Sequence, residues 1–336
     1  MINNIGVSII ICCYNSSTRL KQTLKHISNQ KICFEACCEL IIVDNASTDS
    51  TREFAISEWQ ALKNNHITFT VIVESNKGLS HARKAGAAKA KYEYLIFCDD
   101  DNWLSENYVQ NVYSLFKKNH NVAVLGGLGI PYFEDETVKP SWFEKFEDSY
   151  AVGSTIRSDT FVDFVYGAGL AIRKSVFSKV TNTNPMLLLG RKQNRLTAGE
   201  DSELCIRVRM LNLKILFTPS LTFGHFLPTK RLNWTYLKAM HKGFARSFVI
   251  INLYQRALTT SDTKLPLFYW LKEAFYFCGI FLKYLPKQYS HGFQSIGNTN
   301  AINSLTWRTM ALNYLKYNFR TIGIYKRIIS IKNEKL

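Results

Sequence analysis

Tyr94-Leu95-Ile96-Phe97-Cys98-Asp99-Asp100-Asp101-Asn102 runs an apolar segment directly into three carboxylates. The apolar part has the composition of a buried strand, and Asn102 opens a polar turn before the next helical pattern. A strand of this kind delivers its acids to the carboxyl edge of a sheet, where open α/β folds bind ligands. Adjacent carboxylates repel and raise one another's pKa unless a cation sits among them. Hard oxygen ligands on a short turn suit Mg²⁺ or Mn²⁺, which bridge phosphate oxygens. A solvated acidic turn has the same composition, so the rest of the chain must decide.

Upstream, Gly6–Cys13 is apolar on both faces, as a central parallel strand is. It ends in the polar turn Tyr14-Asn15-Ser16-Ser17, followed by a helical face of Leu20, Leu24 and Ile27. Glu39–Val43 is a second strand, closed by Asp44-Asn45-Ala46-Ser47-Thr48-Asp49-Ser50 and a helix carrying Phe54, Ala55 and Trp59. Ile67–Val73 is a third strand. Ser75-Asn76-Lys77-Gly78-Leu79-Ser80 then turns into an Ala-rich helix over 82–90. This alternation predicts βαβ units with right-handed crossovers. Tyr14/Asn15, Asp44 and Asp99/Asp101 therefore share one sheet edge. A carboxylate at Asp44 suits a base N–H or a ribose hydroxyl, and Lys77 or Arg83 suits phosphate. Helix capping by Asp44 or Asp49, and a solvated face for Arg83, are the plainer alternatives.

The net charge of +16 is unevenly placed. Residues 205–336 hold 20 Lys and Arg against Asp262, Glu273 and Glu334 alone, and the first 204 residues are close to neutral. A basic C-terminal part favours a polyanion such as an anionic membrane surface. Eight cysteines, several inside apolar strands, behave as small hydrophobes. Cys33, Cys37 and Cys38 lack the partners of a zinc site. No signal-peptide pattern precedes Val7 and no apolar run reaches the roughly 18–20 residues of a membrane span, so a reducing cytoplasmic setting is expected.

Four motifs in order, Val7–Asn15, Ile42–Asp49, Asn76–Arg83 and Asp99–Asp101, resemble those of the family 2 glycosyltransferases. The resemblance implies a GT-A fold, a Rossmann-like, mostly parallel sheet flanked by helices. It also implies a nucleoside-diphosphate sugar donor, with UDP-sugar first among them, and Mn²⁺ or Mg²⁺ at an Asp-x-Asp motif. By that likeness Asp44 contacts the base, Asp99 the ribose or the metal, and Asp101 the metal. Cys13, Tyr14, Asn15, Asn76, Lys77, Gly78, Arg83 and Asp100 complete the donor site. Cys13 stands where the family usually carries Pro or Thr, a change that adjusts packing under the base.

Further on, Val122–Gly127 is expected to be a strand with a glycine exit, and 131–160 an irregular, aromatic lid or acceptor wall. Gly167 and Gly169 remove side chains where a ligand or another backbone approaches. In the family this stretch lies under the donor sugar, and a strand bulge would look the same. Thr197-Ala198-Gly199-Glu200-Asp201-Ser202-Glu203 opens a helix, where free N–H groups favour carboxylates. The resemblance makes Asp201 the catalytic base and Glu200 an acceptor-orienting residue. Lys214–Phe217 is expected to be a strand stopped by Pro219; the resemblance implies a metal or diphosphate ligand at His225, where a lone histidine otherwise reads as packed or capping.

From Trp234 the pattern is helical. Leu265–Leu282 is either a core helix or, with its flanking lysines, an interfacial anchor. The expected organisation is a GT-A domain over 1–232, with a donor-binding half over 1–125 and an acceptor half over 126–232, and a basic helical extension over 233–336. The expected function is metal-dependent, inverting sugar transfer to a glycan or lipid-linked acceptor in cell-surface polysaccharide synthesis, peripheral on the inner membrane face, with no nucleic acid partner. The alternative is a basic membrane- or nucleic-acid-binding protein on a catalytically inactive GT-A-like fold.

Overall fold

The computed structural model describes residues 5–32, 37–182, 184–188, 190, 198–289 and 296–334. Cys33 and Thr197 lie outside them. The strands are β1 (Gly6–Cys13), β2 (Cys37–Asp44), β3 (Thr68–Val73), β4 (Tyr94–Asp99), β5 (Asn102–Leu104), β6 (Val122–Phe133), β7 (Thr160–Phe161), β8 (Ala171–Arg173) and β9 (Lys214–Leu227). The helices are α1 (Leu20–Ser28), α2 (Thr51–Ala61), α3 (Leu79–Lys89), α4 (Tyr108–Lys118), α5 (Lys174–Asn182), α6 (Glu200–Met210), α7 (Trp234–Thr259), α8 (Tyr269–Tyr289), α9 (Thr299–Tyr317) and α10 (Arg320–Asn333).

One sheet runs in the order β3-β2-β1-β4-β8-β6-β9-β5, with β7 paired to β9. β1 lies between β2 and β4, parallel to both, which is why Ile9, Ile10 and Ile11 are all fully buried. Chain order steps outward from β1 through β2 to β3, then returns to the other side of β1 at β4. That reversal opens a crevice at the carboxyl ends of β1 and β4. The β8 and β6 pairings beyond β4 are antiparallel.

Alternation along the strands sorts the helices into two layers. Val7, Ile9, Ile11 and Cys13 of β1 join Tyr94, Ile96 and Cys98 of β4 in a core with Leu20, Leu24, Ile27, Ala55, Trp59, Tyr108, Val109 and Val112, so α1, α2 and α4 cover this face. The opposite face takes α3 and α5. A Cβ on Gly86 of α3 would lie 2.4 Å from Ile10, so glycine sets how closely α3 approaches. Phe177 of α5 packs on Phe97, with ring centroids 5.1 Å apart. At the strands' amino ends the buried Glu39 carboxylate accepts from Ser8 Oγ (2.7 Å) and the Lys91 N–H (2.6 Å).

Two expectations fail, each for its own reason. β6 continues through its glycines and β9 through Pro219. A Cβ at Gly127 would sit 2.0 Å from the Leu221 carbonyl oxygen, and one at Gly129 2.2 Å from that of Ala151, so these glycines permit close backbone packing within a strand. Pro219 falls between the stretch of β9 paired with β7 and that paired with β5, where a missing N–H costs least.

The chain forms two compact units, residues 1–132, 151–185 and 207–227 in the first and 133–150, 186–206 and 228–336 in the second. This differs from a single cut at 232/233, because two earlier segments group with the C-terminal helices. Within the second unit Trp142, Phe143, Phe146 and Tyr150 are buried, and Trp142 and Phe146 pack edge-on against Trp234 of α7. These rings of the expected lid are thus core residues of the helical unit. Asn252 of α7 donates to Tyr314 Oη of α9 (2.6 Å), and Phe277 of α8 stacks on Trp307 and Tyr314.

Gly127→Ala is expected to lower stability by about 1–3 kcal/mol, the cost of overpacking against immovable backbone. Gly323→Ala, on the open side of α10 where a Cβ meets nothing within 4 Å, should raise it by about 0.5–1 kcal/mol. Urea midpoints measure both, and a Gly127→Ala protein as stable as the parent would disprove the close β6–β9 approach.

Candidate active site

The crevice edge is built around Asn45. Its backbone N–H donates to the Cys13 carbonyl (2.8 Å), and its side chain donates to the carbonyls of Glu74 (3.0 Å) and Asn76 (2.7 Å). Its Oδ1 accepts the Gly78 N–H (2.7 Å). The ends of β1, β2 and β3 and the start of α3 thus meet at one buried amide. Gly78 holds φ at 136°, a conformation closed to other residues without strain, which turns the backbone into α3. Beside it Asp44 is 8% exposed, and its Oδ1 accepts the Ser47 N–H (3.1 Å).

The loop after β1 is tied to the loop after β2. Asn15 has φ of 50°, tolerable for Asn, and its Oδ1 accepts the Thr48 N–H (2.8 Å) while its own N–H reaches Ser47 Oγ (3.1 Å). Tyr14 is left 42% exposed, and Lys77 Nζ from the β3–α3 loop lies 5.4 Å from its ring centre. An exposed aromatic face and a cation therefore meet from separate loops. Cys13 turns its side chain into the core, where burial pushes the thiol pKa well up.

The three acids after β4 have different surroundings. Asp100 pairs with Arg19 (2.6 Å) and accepts from Ser16 Oγ, and its carbonyl takes the Thr23 hydroxyl (2.9 Å). Burial and then Asp101 raise its pKa, and Arg19 opposes both. Arg19 also donates to the carbonyls of Asn15 (2.9 Å) and Tyr14 (3.1 Å), so one guanidinium locks the β1 loop to the acidic turn. Asn102 closes that turn, its Oδ1 accepting the Asp99 N–H (3.2 Å) and its amide reaching Asp101 Oδ1 (3.4 Å). Asp99 is half-buried at the end of β4.

His225 of β9 sits opposite Asn102 of β5, bringing its Nε2 to 3.7 Å from Asp101 Oδ1. No group of three or more His, Cys, Asp or Glu able to hold a metal exists among the described residues. A carboxylate and an imidazole nitrogen side by side fit a divalent ion that takes its other ligands from phosphate and water, and do not fit an all-protein cage.

Arg83 is buried and not a solvated helix face. Its guanidinium lies 5.2 Å from the centre of Phe97 and donates to the Gly167 carbonyl (3.4 Å). Gly169 has φ of 66°, and a Cβ there would press on Tyr108 Oη (2.8 Å) and Phe223 (3.0 Å). The close approach at Gly169 is made by the protein's own side chains.

Glu200 and Asp201 open α6 in the second unit, Glu200 buried and Asp201 half-buried. Gly190 takes φ of 70°, and a Cβ there would fall 2.6 Å from the Glu200 carboxylate. The third acid, Glu203, is fully buried and accepts from the N–H groups of Leu187 (2.9 Å) and Leu188 (2.7 Å) and from Tyr254 Oη (2.7 Å). Sequence reasoning assigned no role to Arg19, Asn45 or Glu203, although Asn45 and Glu203 stand inside the quoted motifs. Asn45, directly after a strand-ending acid, was the one with a signal.

Comparison with known proteins agrees with the fold. The chain is 34% identical over 122 residues to the minor teichoic acid biosynthesis protein GgaA of Bacillus subtilis, covering 35% of this chain and 27% of that protein. It is 25% identical over 179 residues to the poly(ribitol-phosphate) beta-N-acetylglucosaminyltransferase TarP of Staphylococcus aureus, covering 53% and 50%. The chain thus spans between about a quarter and a half of the length of these relatives. Among solved structures, GalNAc-T7 with UDP, GalNAc and Mn²⁺ superposes with a TM-score of 0.52 at 17% identity, over 77% of this chain and 50% of that one. The fold is that of the GT-A glycosyltransferases, as expected. A family model described as glycosyl transferase family 2 matches residues 8–181, from β1 through nearly all of α5, and the chain belongs to that family.

Proposed function

We propose that the protein transfers a sugar from a nucleoside-diphosphate sugar, UDP first among the carriers, to a hydroxyl of a glycan or lipid-linked acceptor in cell-surface polysaccharide assembly. The observation that carries this reading is the convergence at one sheet edge of Tyr14 with Lys77, the Asp44 carboxylate held by Ser47, and Asp101 beside His225. Related proteins named for teichoic acid and poly-beta-1,6-N-acetyl-D-glucosamine synthesis support the acceptor class. The UDP and Mn²⁺ named with GalNAc-T7 support the donor and the metal.

In this reading Tyr14 stacks on the base. Ser47 orients Asp44 so that its Oδ2 receives a base N–H or a ribose hydroxyl. Lys77 meets phosphate charge. Asp100 serves as a buttress, since its carboxylate is committed to Arg19 and Ser16. Asp101 and His225 would hold the divalent ion, which would offset the negative charge of the diphosphate leaving group, and Asp99 would meet the ribose.

Asp201 accepts the proton of the acceptor hydroxyl. The hydroxyl oxygen bonds to the anomeric carbon as the bond from that carbon to the diphosphate oxygen breaks, and configuration inverts in one displacement. Glu203 is excluded from this role because its carboxylate is taken up by Leu187, Leu188 and Tyr254. Glu200 orients the acceptor. An acceptor built on a lipid places the enzyme peripherally on the inner membrane face.

Two experiments test the reading. Asp101→Ala and His225→Ala should each weaken Mn²⁺-dependent UDP binding by about tenfold or more in calorimetry, the usual loss on removing a group that supports a metal. Chelation should do the same to the parent, and metal-independent binding would refute the assignment. Asp201→Asn should lower kcat by about 10²–10⁴-fold while leaving UDP affinity in place. Unchanged turnover would remove Asp201 as the base.

A further inference from the structure

Helix α8 has apolar side chains on two sides. Facing inward, Tyr269, Ala274 and Phe277 are 4–5% exposed and pack on α7 and α9. Facing outward, Phe275 is 69% exposed, Tyr276 60% and Leu282 55%, with Leu267 and Phe268 equally open just before the helix. The outward positions 268, 272, 275, 276, 279, 282 and 283 follow helical spacing, so they form one stripe. Phe268 meets Phe319, itself 50% exposed, at the α9–α10 junction, with ring centroids 6.2 Å apart. A helix apolar on both sides has a second environment to enter.

The stripe's charges are of one sign. Lys272 and Lys283 lie on it, Lys287 continues it, and Lys316 and Arg320 flank Phe319. The acid of α8, Glu273, is turned inward towards Tyr269 and Asn252, where burial raises its pKa. No described helix is long and apolar enough to cross a membrane.

We propose that this face, centred on Phe275, Tyr276 and Leu282, seats on an anionic bilayer surface, the rings entering the headgroup boundary and the lysines meeting lipid phosphates. Charge complementarity selects this occupant. A second copy would bring the same lysines against one another, and a polynucleotide offers nothing to the aliphatic and aromatic centre of the stripe. The proposal rests on the peripheral placement given above and names the surface responsible for it.

Gly279 supplies the test. It lies in the middle of the stripe, and a Cβ there meets nothing within 4 Å, so Gly279→Glu sets a carboxylate on the face without disturbing the core. The full chain is floated with vesicles of phosphatidylcholine alone or mixed with phosphatidylglycerol. The parent should float only with the anionic vesicles. Gly279→Glu and Phe275→Glu should lose about tenfold or more of that binding, with the melting temperature and UDP affinity of the parent retained. Equal flotation of parent and Gly279→Glu overturns the proposal. So does a parent dimer in sedimentation that Gly279→Glu disperses, or nucleic acid binding that the substitution abolishes. A parent that floats but does not bind UDP would strike the donor-site reading and leave this one standing.

Discussion

The Asn45 side chain joins segments that the sheet ladder leaves independent. Parallel strands end where their hydrogen bonds end, and the loops beyond them are ordinarily free to diverge. Here one buried amide satisfies the carbonyls of Glu74 and Asn76 and the N–H of Gly78, while its own N–H reaches across to Cys13. An amide has donors and an acceptor to offer at once, and an aspartate at this position would have only acceptors. Tyr14, Asp44 and Lys77 depend on this arrangement for their relative positions, since each sits on a loop that Asn45 or Asn15 ties down.

Charge in the first unit follows the same economy. Three consecutive acids repel, and the fold gives them different surroundings. Asp100 is taken inward by Arg19 and Ser16, while Asp101 is left beside His225. The Arg19 pair is a structural link as much as an electrostatic one, because the same guanidinium also holds the Tyr14 and Asn15 carbonyls. Burial also keeps the neighbouring thiols neutral, with Cys12 pushed up to about 12. They therefore add no negative charge to a crevice already crowded with carboxylates.

In the helical unit polar groups are likewise assigned one task each. Glu203 gathers two backbone N–H groups and a tyrosine hydroxyl, which ties Leu187 and Leu188 to α6 and α7. The buried rings of Trp142, Phe146 and Trp234 fill the interior. On the outer side of α8, Phe275, Tyr276 and Leu282 are more than half exposed.

Much of this was legible in the order of residues. Apolar runs and the polar turns after them marked β1 to β4 and the edge where Tyr14, Asp44 and the three acids meet, because period and turn chemistry are local properties. The charge division between the two parts of the chain was countable. Other features depended on contacts between distant residues. Whether a glycine ends a strand or admits a neighbour depends on what lies opposite, as with Gly127 and Leu221. Which of three acids is neutralised within the protein depends on an arginine from another element, and which of three helix-opening acids is structural depends on Tyr254, some fifty residues away. Sequence alone determined the elements and the chemistry available at their ends. Tertiary packing decided which of those groups the protein consumes internally, because burial and hydrogen-bond partners exist only once the chain has closed on itself.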